Sequence, residues 1–147
     1  MMMGLGFRGT VFFCQAAAGP MKEQRSGRIV TVGSQAGLRS SAQSGGGGVS
    51  YSVAKAAIHQ YTRNLAAELG PYNINVNCIA PAWILSSRAI AQGRNSPEMR
   101  ARLEQEIALK RLGMPEDCAK VVEFLVTDMS DYVTGQIIRI CGGCCLF

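Results

Sequence analysis

The chain has 147 residues, of which 48% are hydrophobic and 17% are charged. These values are typical of one globular domain, or of a large part of one, and they exclude an intrinsically disordered chain. No apolar run approaches the roughly 20 residues that a membrane-spanning helix requires, and the apolar stretch 9–19 is too short as well. We therefore expect a cytoplasmic protein with no membrane partner.

The formal net charge of +5 does not come from one basic patch. Over residues 98–111 the basic side chains are interspersed with Glu98, Glu104 and Glu106. Mixed signs at helical spacing are typical of a solvated helix face, which predicts no nucleic-acid partner. Alternatively, the acidic residues that balance this charge lie in a part of the domain outside the 147 residues.

Apolar periodicity, with glycine and proline as breaks, predicts the secondary structure in chain order. Helical spacing marks four segments, and runs rich in β-branched residues mark three strands. The predicted helices cover residues 7–24, 49–69, 97–110 and 115–127, and the predicted strands cover 28–34, 74–79 and 137–140. The glycine- and serine-rich stretch 35–50 is predicted to be a flexible loop, and 81–96 a loop or lid.

Strands that alternate with helices predict right-handed crossovers and a parallel sheet with helices on its faces. The predicted fold class is therefore α/β, with a doubly wound parallel sheet that three strands leave incomplete. Its first strand would expose a flat, hydrophobic edge, and such an edge favours pairing with another chain. We therefore expect a homo-oligomer.

The strongest chemical signal is Tyr51-Ser-Val-Ala-Lys55 on the predicted helix 49–69. Residues four apart project from one helix face, about 6 Å apart along the axis. A lysine ammonium beside a phenol favours the phenolate and makes the phenol a usable proton donor or acceptor near neutral pH. A packed aromatic beside a lysine that reaches solvent would give the same spacing, so the surrounding sequence has to decide.

Other motifs surround this pair in a recognisable order. The predicted strand 28–34 ends in Gly33-Ser34, and strand 74–79 leads into Ala80-Pro81. Further along the chain come Arg111-Leu-Gly-Met-Pro-Glu116, Phe124-Leu-Val-Thr-Asp128, Tyr132-Val-Thr-Gly-Gln-Ile-Ile138 and Gly142-Gly143. Together, over nearly the whole chain, these motifs resemble the C-terminal half of the short-chain dehydrogenase/reductase family. The resemblance includes its 3-oxoacyl-carrier-protein reductase-like and sugar-alcohol dehydrogenase-like members.

The resemblance implies that residues 1–147 form the C-terminal portion of a single NAD(P)-binding Rossmann domain. It implies hydride transfer between an alcohol and a carbonyl, with Tyr51 as the general acid or base. Lys55 would assist Tyr51 and bind the nicotinamide ribose, and Ser34 would orient the substrate oxygen.

The resemblance also implies a cofactor contact after the second strand. Backbone groups around Pro81 and Ile84, with the hydroxyl of Ser86, would hold the carboxamide of NAD or NADP. Two positions depart from the family pattern: Gly6 stands where the family has an asparagine that helps to relay protons, and Pro81-Ala82 replaces Pro-Gly.

A second motif, Gly4-Leu-Gly6-Phe-Arg-Gly9, spells the dinucleotide fingerprint G-x-G-x-x-G. That motif works when a strand delivers the glycines to a helix N-terminus, and only three residues precede Gly4. We therefore interpret it as a chance match. The family's own glycine-rich turn, and the residue that selects NAD or NADP, are expected upstream of Met1.

The cysteine cluster Cys141-Gly-Gly-Cys144-Cys145 resembles a metal or redox motif. A structural zinc site requires about four ligands, and the only histidine, His59, is remote in sequence. We therefore expect free thiols in a reducing cytosol and no metal.

Two functions stay open. The first is an NAD(P)-dependent oxidoreductase that acts on a small-molecule alcohol or ketone, which the Ser34, Tyr51 and Lys55 set favours. The alternative is a truncated, non-catalytic chain that acts only by oligomerising with itself or with a full-length relative. The missing cofactor turn and Gly6 favour this alternative.

Overall fold

The computed structural model describes residues 3–39 and 48–144. In chain order the main elements are α1 (Gly9–Gln24), β1 (Gly27–Val32), α2 (Gly48–Leu69), β2 (Ile74–Pro81), α3 (Ser87–Ala91), α4 (Pro97–Glu106), α5 (Pro115–Val126) and β3 (Ile137–Ile140). A π-helical segment, Met3–Arg8, precedes α1, and short 3₁₀ turns lie at Gln35–Gly37, Gly70–Tyr72 and Asp128–Ser130. Within these two described ranges, no helix is both long and apolar enough to cross a membrane.

The three strands form one parallel sheet in the order β1-β2-β3. Val32 of β1 is in register with Ile79 of β2, and Pro81 of β2 is in register with Ile140 of β3. Helices connect consecutive strands, because parallel neighbours need a crossover that returns the chain to the same end of the sheet. The predicted α/β, Rossmann-type parallel sheet is confirmed.

The larger hydrophobic core lies between the helices α1 and α2 and the central strand β2. Each element contributes apolar residues at its own period, 3.6 for the helices and two for the strand. Its buried members are Cys14, Ala18, Leu65, Ala66, Leu69, Ile74 and Val76. Leu69 is 0% exposed, and burial of a leucine contributes about 1.5–3 kcal/mol. This core holds α2, with Tyr51 and Lys55, against the sheet.

A second, smaller core forms after β2 from Leu103, Ile107 and Leu112. The predicted helix 97–110 is too long, because α4 ends at Glu106. The second core explains this early end. Ile107 takes an extended backbone conformation, with φ −93° and ψ 125°, and its side chain is only 2% exposed. Burial of Ile107 in this core outweighs the helical propensity of the residues after it.

The connection 81–96 contains a short helix that the sequence pattern does not predict. Ser86 is the N-cap of α3, and its Oγ accepts a hydrogen bond from the N–H of Ala89 at 3.3 Å. A helix of five residues is too short to show apolar periodicity, so the serine cap is the only signal of it in the sequence.

The predicted strand 28–34 is also too long, because β1 ends at Val32. Ser34 instead caps the 3₁₀ turn Gln35–Gly37, which occupies the start of the stretch 35–50 that was predicted to be a flexible loop. Residues 40–47 of that stretch lie outside the described residues. The capped turn fixes the first residues after β1 and therefore the backbone of Ser34.

Candidate active site

The residues predicted for catalysis and cofactor binding follow the carboxyl ends of two neighbouring strands. Ser34 comes shortly after Val32, the last residue of β1. Pro81 closes β2, and Ile84 and Ser86 lie in the connection that follows. Because β1 and β2 are parallel, their carboxyl ends meet at one edge of the sheet. In open α/β sheets this edge is where ligands bind.

Tyr51 and Lys55 lie in the first two turns of α2, and both are half-buried. The Nζ of Lys55 lies 5.7 Å from the centroid of the Tyr51 ring. The same nitrogen donates a hydrogen bond to the carbonyl oxygen of Val32 at 2.8 Å. The structure therefore brings the predicted tyrosine and lysine together and joins the lysine to the end of β1. A cation at this distance from an aromatic ring is attracted to it.

Ser34 is tied to its surroundings by both its backbone and its side chain. Its N–H donates to Nε2 of His59 at 3.3 Å, and its Oγ accepts from the N–H of Ala36 at 3.2 Å. The backbone of Ser34 is extended, with φ −167° and ψ 152°. A serine hydroxyl that accepts one hydrogen bond still has its own O–H to donate, so Ser34 retains a donor for a ligand oxygen.

One face of α2 is joined to β1 and the turn after it by three polar contacts. The three α2 residues that make them are spaced by four and three positions, which places them on the same side of a helix. The contacts are Lys55 Nζ to the Val32 oxygen at 2.8 Å, Ser34 N to His59 Nε2 at 3.3 Å, and the Thr31 hydroxyl to the Thr62 hydroxyl at 2.7 Å.

His59 is a site residue that the sequence interpretation missed. It is 2% exposed and lies one turn after Lys55 on the buried face of α2. Burial lowers its pKa from 6.5 to about 4; the positive charges of Arg63 and Lys55 act in the same direction, and the Gly37 backbone opposes them. The ring is therefore neutral at pH 7. Its position four residues after Lys55 is the signal that could have indicated it.

The segment after β2 is held by a short parallel bridge. Ile84 pairs with Gly113, the N–H of Leu85 donates to the Gly113 oxygen at 2.8 Å, and the N–H of Gly113 donates to the Trp83 oxygen at 2.9 Å. A Cβ at Gly113 would lie 2.5 Å from Cδ1 of Ile84, so the close approach requires glycine there. The backbone around Ile84 is therefore held in place by hydrogen bonds to Gly113, which lies outside the segment.

A cleft of about 230 Å³ lies beside this bridge, and its walls include Trp83, Ile84, Arg111 and Cys141. Arg111 donates two hydrogen bonds to the carboxylate of Asp117, at 2.7 and 2.9 Å. This pairing holds the pKa of Asp117 well below its usual range. The charge of Arg111 is therefore already matched by a carboxylate.

A larger groove, of about 470 Å³, lies between β1 and α1, on the side of β1 that faces away from β2. Gly6, Phe13, Val32 and Lys55 are among the residues that line it. A Cβ added at Gly6, the position of the family's asparagine, meets no atom within 4 Å. The groove therefore has space for a larger side chain at Gly6.

The glycine motif at the N-terminus has helical geometry. Gly4 and Gly6 lie in the π-helical segment Met3–Arg8, and Gly9 is the first residue of α1. This is not the strand-turn-helix that a phosphate-binding fingerprint requires, which agrees with a chance match.

None of the described cysteines forms a disulfide bond; they are Cys14, Cys78, Cys118, Cys141 and Cys144. Over residues 3–39 and 48–144, no group of three or more histidine, cysteine, aspartate or glutamate side chains is placed to hold a metal ion. Cys145 lies outside the described residues.

A parallel α/β sheet with its candidate catalytic groups at the carboxyl edge defines a Rossmann-type protein. The family model described as enoyl-(acyl carrier protein) reductase matches residues 1–145. The chain is 52% identical over 139 residues to cyclohexanol dehydrogenase from Rhodococcus sp. (strain TK6). The matched region covers 92% of this chain and 48% of that relative.

Solved structures of the same fold agree. A short-chain type dehydrogenase/reductase from Mycobacterium ulcerans has a TM-score of 0.87 at 30% identity, covering 97% of this chain and 50% of that chain. A 3-oxoacyl-(acyl-carrier protein) reductase with bound NAD from Brucella melitensis has a TM-score of 0.80 at 36% identity, and the match covers 92% of this chain and 47% of that chain.

The chain therefore belongs to the short-chain dehydrogenase/reductase family, a family of oxidoreductases, and the resemblance seen in its motifs is confirmed. It spans about half the length of the relatives that it matches.

Proposed function

We propose that this chain carries the catalytic half of an NAD(P)-dependent oxidoreductase that interconverts an alcohol and a carbonyl. The observation that carries the proposal is the position of the Lys55 ammonium, 5.7 Å from the Tyr51 ring centroid and 2.8 Å from the Val32 oxygen. Ser34 follows at the same strand end. The 52% identity to a cyclohexanol dehydrogenase supports this reaction class.

The proposed roles follow from what the reaction moves. Reduction of a carbonyl adds a hydride to carbon and a proton to oxygen, and oxidation of the alcohol reverses both steps. Tyr51 donates its phenolic proton to the substrate oxygen, and the ammonium of Lys55 stabilises the phenolate that remains. The O–H of Ser34 donates a hydrogen bond to the same oxygen and fixes its position.

A bound nicotinamide supplies or accepts the hydride, and the donors at the carboxyl edge fit its ribose and carboxamide. Lys55 has three N–H donors, of which its bond to Val32 uses one. Ser86 accepts the cap bond from Ala89 and keeps its O–H to donate, and the backbone near Pro81 and Ile84 is at the same edge. NAD and NADP differ at the adenosine ribose, so we propose no choice between them.

The proposed substrate is a small-molecule alcohol or ketone. The cyclohexanol dehydrogenase relative makes cyclohexanol and cyclohexanone the first pair to assay. Arg94 lies on the connection after β2, but its guanidinium lies 5.7 Å from the centroid of the Trp83 ring. This contact already engages its charge and gives no reason to favour an anionic substrate.

We further propose a cytoplasmic protein with neither a membrane nor a nucleic-acid partner.

A fusion to a complementary half tests the proposal. The N-terminal half of the Rhodococcus enzyme would be joined to this chain, and cyclohexanol oxidation assayed with NAD and NADP. We expect turnover, and Tyr51→Phe should lower kcat by about 10²–10⁴-fold with cofactor binding unchanged, because only the proton donor is lost. Tyr61→Phe, a half-buried tyrosine on the same helix, is the matched control and should stay within about twofold. Wild-type turnover in Tyr51→Phe would contradict the catalytic assignment.

The two proposed roles of Lys55 separate in the same fusion. Lys55→Ala should lower both kcat and cofactor affinity, since it removes the charge beside Tyr51 and a donor to the ribose. Lys22→Ala is the control, because Lys22 pairs with Glu68 on the surface, at 3.2 Å. A Lys55→Ala variant with unchanged cofactor affinity would remove the ribose contact from the proposal.

A second candidate function is oligomerisation without catalysis, and the open side of β1 favours it. Phe12, Phe13 and Val32 are 58%, 81% and 53% exposed, and Phe13 and Val32 line the groove beside β1. An unpaired strand edge with apolar neighbours favours association with itself or with a full-length relative.

The isolated chain tests the second candidate. With only the nicotinamide end of the site, we expect NADH and NADPH to bind with affinities in the millimolar range, about −4 kcal/mol, and no measurable turnover. Sedimentation should show mainly oligomers. A monomer that binds NADPH at micromolar concentration, measured by nucleotide fluorescence, would contradict this expectation.

A further inference from the structure

A buried imidazole fills the space between α2 and the turn after β1. His59 is 2% exposed, and two glycines approach it closely. A Cβ added to Gly33 would lie 2.2 Å from Nε2 of His59, and one added to Gly37 would lie 2.8 Å from its Cε1. Both glycines therefore leave the space that the imidazole ring occupies.

One hydrogen bond crosses this packed contact. The N–H of Ser34 donates to Nε2 of His59 at 3.3 Å. Ser34 carries the hydroxyl that is proposed to hold the substrate oxygen. Lys55, one turn before His59 on α2, bonds to the Val32 oxygen on the same side of the helix. The helix thus reaches the end of β1 at two successive turns.

We propose that His59 is a positioning residue whose neutral imidazole anchors the backbone of Ser34 and thereby sets the place of the Ser34 hydroxyl relative to Lys55. This inference deepens the proposed function and rests on it for the role of Ser34. A purely apolar side chain of similar volume would fill the space without accepting the Ser34 N–H.

The anchor requires an unprotonated Nε2, because an imidazolium has a donor on both nitrogens and no acceptor. The surroundings of the ring favour the neutral form, although the backbone of Gly37 in the 3₁₀ turn opposes it. Lys55 and Arg63 on α2 add positive charge, and burial lowers the pKa of His59 to about 4. Burial raises the pKa of the Cys78 thiol on β2, which keeps it uncharged. The 3₁₀ turn Gln35–Gly37 contributes no titratable side chain.

The second ring nitrogen makes the Ser34 contact decisive. Nδ1 of His59 is buried, and within the described part of the chain no group meets hydrogen-bond geometry with it, although the Gly37 backbone is near enough to act on the pKa of the ring. Acceptance by Nε2 assigns the ring proton to Nδ1. The bond to Ser34 is then the contact that protonation of His59 removes.

Hydrogen exchange measured by mass spectrometry tests the anchor in the unaltered chain. His59 is the single histidine, so exchange of the imidazole C2–H reports its titration without assignment. We expect a midpoint near pH 4, and protection of the Ser34 amide, corrected for its intrinsic rate, should be lost at the same midpoint. A midpoint near 6.5, or Ser34 protection that ignores the titration of His59, overturns the proposal.

Two variants separate the acceptor from the volume. His59→Gln keeps a polar atom near the position of Nε2, whereas His59→Leu fills the space without one. We expect His59→Leu to reduce Ser34 protection about tenfold and His59→Gln to restore it to within about threefold. Ile58→Val, at a neighbouring residue that is 1% exposed, controls for a general loss of packing. Equal Ser34 protection in all three variants overturns the anchor. If His59→Leu does not fold, the titration of the unaltered chain decides alone.

The fusion enzyme distinguishes failure of this inference from failure of the proposed function. An inactive fusion with an intact His59–Ser34 coupling would remove the proposed function and leave the anchor. An active fusion in which Ser34 protection ignores His59 would remove the anchor alone.

Discussion

The two sides of β1 differ in how completely they are covered. Toward β2 and α2, β1 is paired with β2 and hydrogen-bonded to α2, and a Cβ at Gly33 would lie 2.2 Å from His59. Toward α1, the same strand borders a groove of about 470 Å³, where Phe13 is 81% exposed and a Cβ at Gly6 meets nothing within 4 Å.

This difference shows which side determines the candidate active site. The contacts of Ser34, Tyr51 and Lys55 that the structure describes run to α2, to β1 and to the turn after it. The local geometry of these groups therefore depends on the covered side of β1. The open side affects association and the space beside Lys55.

A methyl group on each side should give the largest contrast. Gly33→Ala forces a Cβ into His59 and Cys78, and overpacking of this kind should lower the free energy of unfolding by about 3 kcal/mol. Gly6 lines the groove beside β1 and has no atom within 4 Å of an added Cβ, so Gly6→Ala should raise the free energy of unfolding by about 0.5–1 kcal/mol. Urea unfolding monitored by circular dichroism measures both. Equal effects at the two positions would contradict the packing contrast.

Acid should weaken the covered side through His59. The pKa of His59 is lowered from 6.5 to about 4 in the fold, so the unfolded chain binds a proton that the folded chain does not. The contribution of the neutral His59 ring to the free energy of unfolding is complete above pH 6.5. It is lost as the pH falls from 6.5 to about 4, by no more than about 3 kcal/mol. Urea unfolding at several pH values should show this slope, and His59→Gln should flatten it. An unchanged slope in the variant would assign the acid sensitivity to other groups.

A charge on the open side should change association more than stability. Phe13→Glu places a carboxylate in the groove beside β1 and should weaken self-association about tenfold or more, because the edge loses an apolar contact and gains repulsion between copies. Leu109→Glu is the control: Leu109 is 66% exposed and lines the cleft near β3, at the opposite edge of the sheet. Sedimentation velocity over a range of concentrations measures both, and an equal effect of the two variants would argue against the β1 edge as the contact.

The cysteine substitutions should have the smallest effect. Serine at positions 141, 144 and 145 should leave metal content and the activity of the fusion enzyme unchanged, since the cysteines of this segment have no proposed role. Elemental analysis and the cyclohexanol assay check this expectation. Stoichiometric zinc in the parent that is lost in the variant would contradict it.

Local patterns were sufficient for most elements. The strand 137–140 is predicted with its observed bounds, and α2 begins one residue before the predicted start of helix 49–69. In two places where the prediction failed, tertiary contacts were responsible. Burial of Ile107 ends α4 early, and the bridge between Ile84 and Gly113 orders a segment that reads as a loop.

Sequence order and spacing alone were enough to indicate the parallel α/β class, the Tyr51–Lys55 pair and the family. These depend on periodicity and on motifs, which are local along the chain. The role proposed for His59 rests on tertiary structure alone, because it depends on a contact with Ser34, 25 positions earlier in sequence, and on glycines that leave space for the ring. A contact between distant segments has no periodic signature, so it appears only once the helix has packed on the strand.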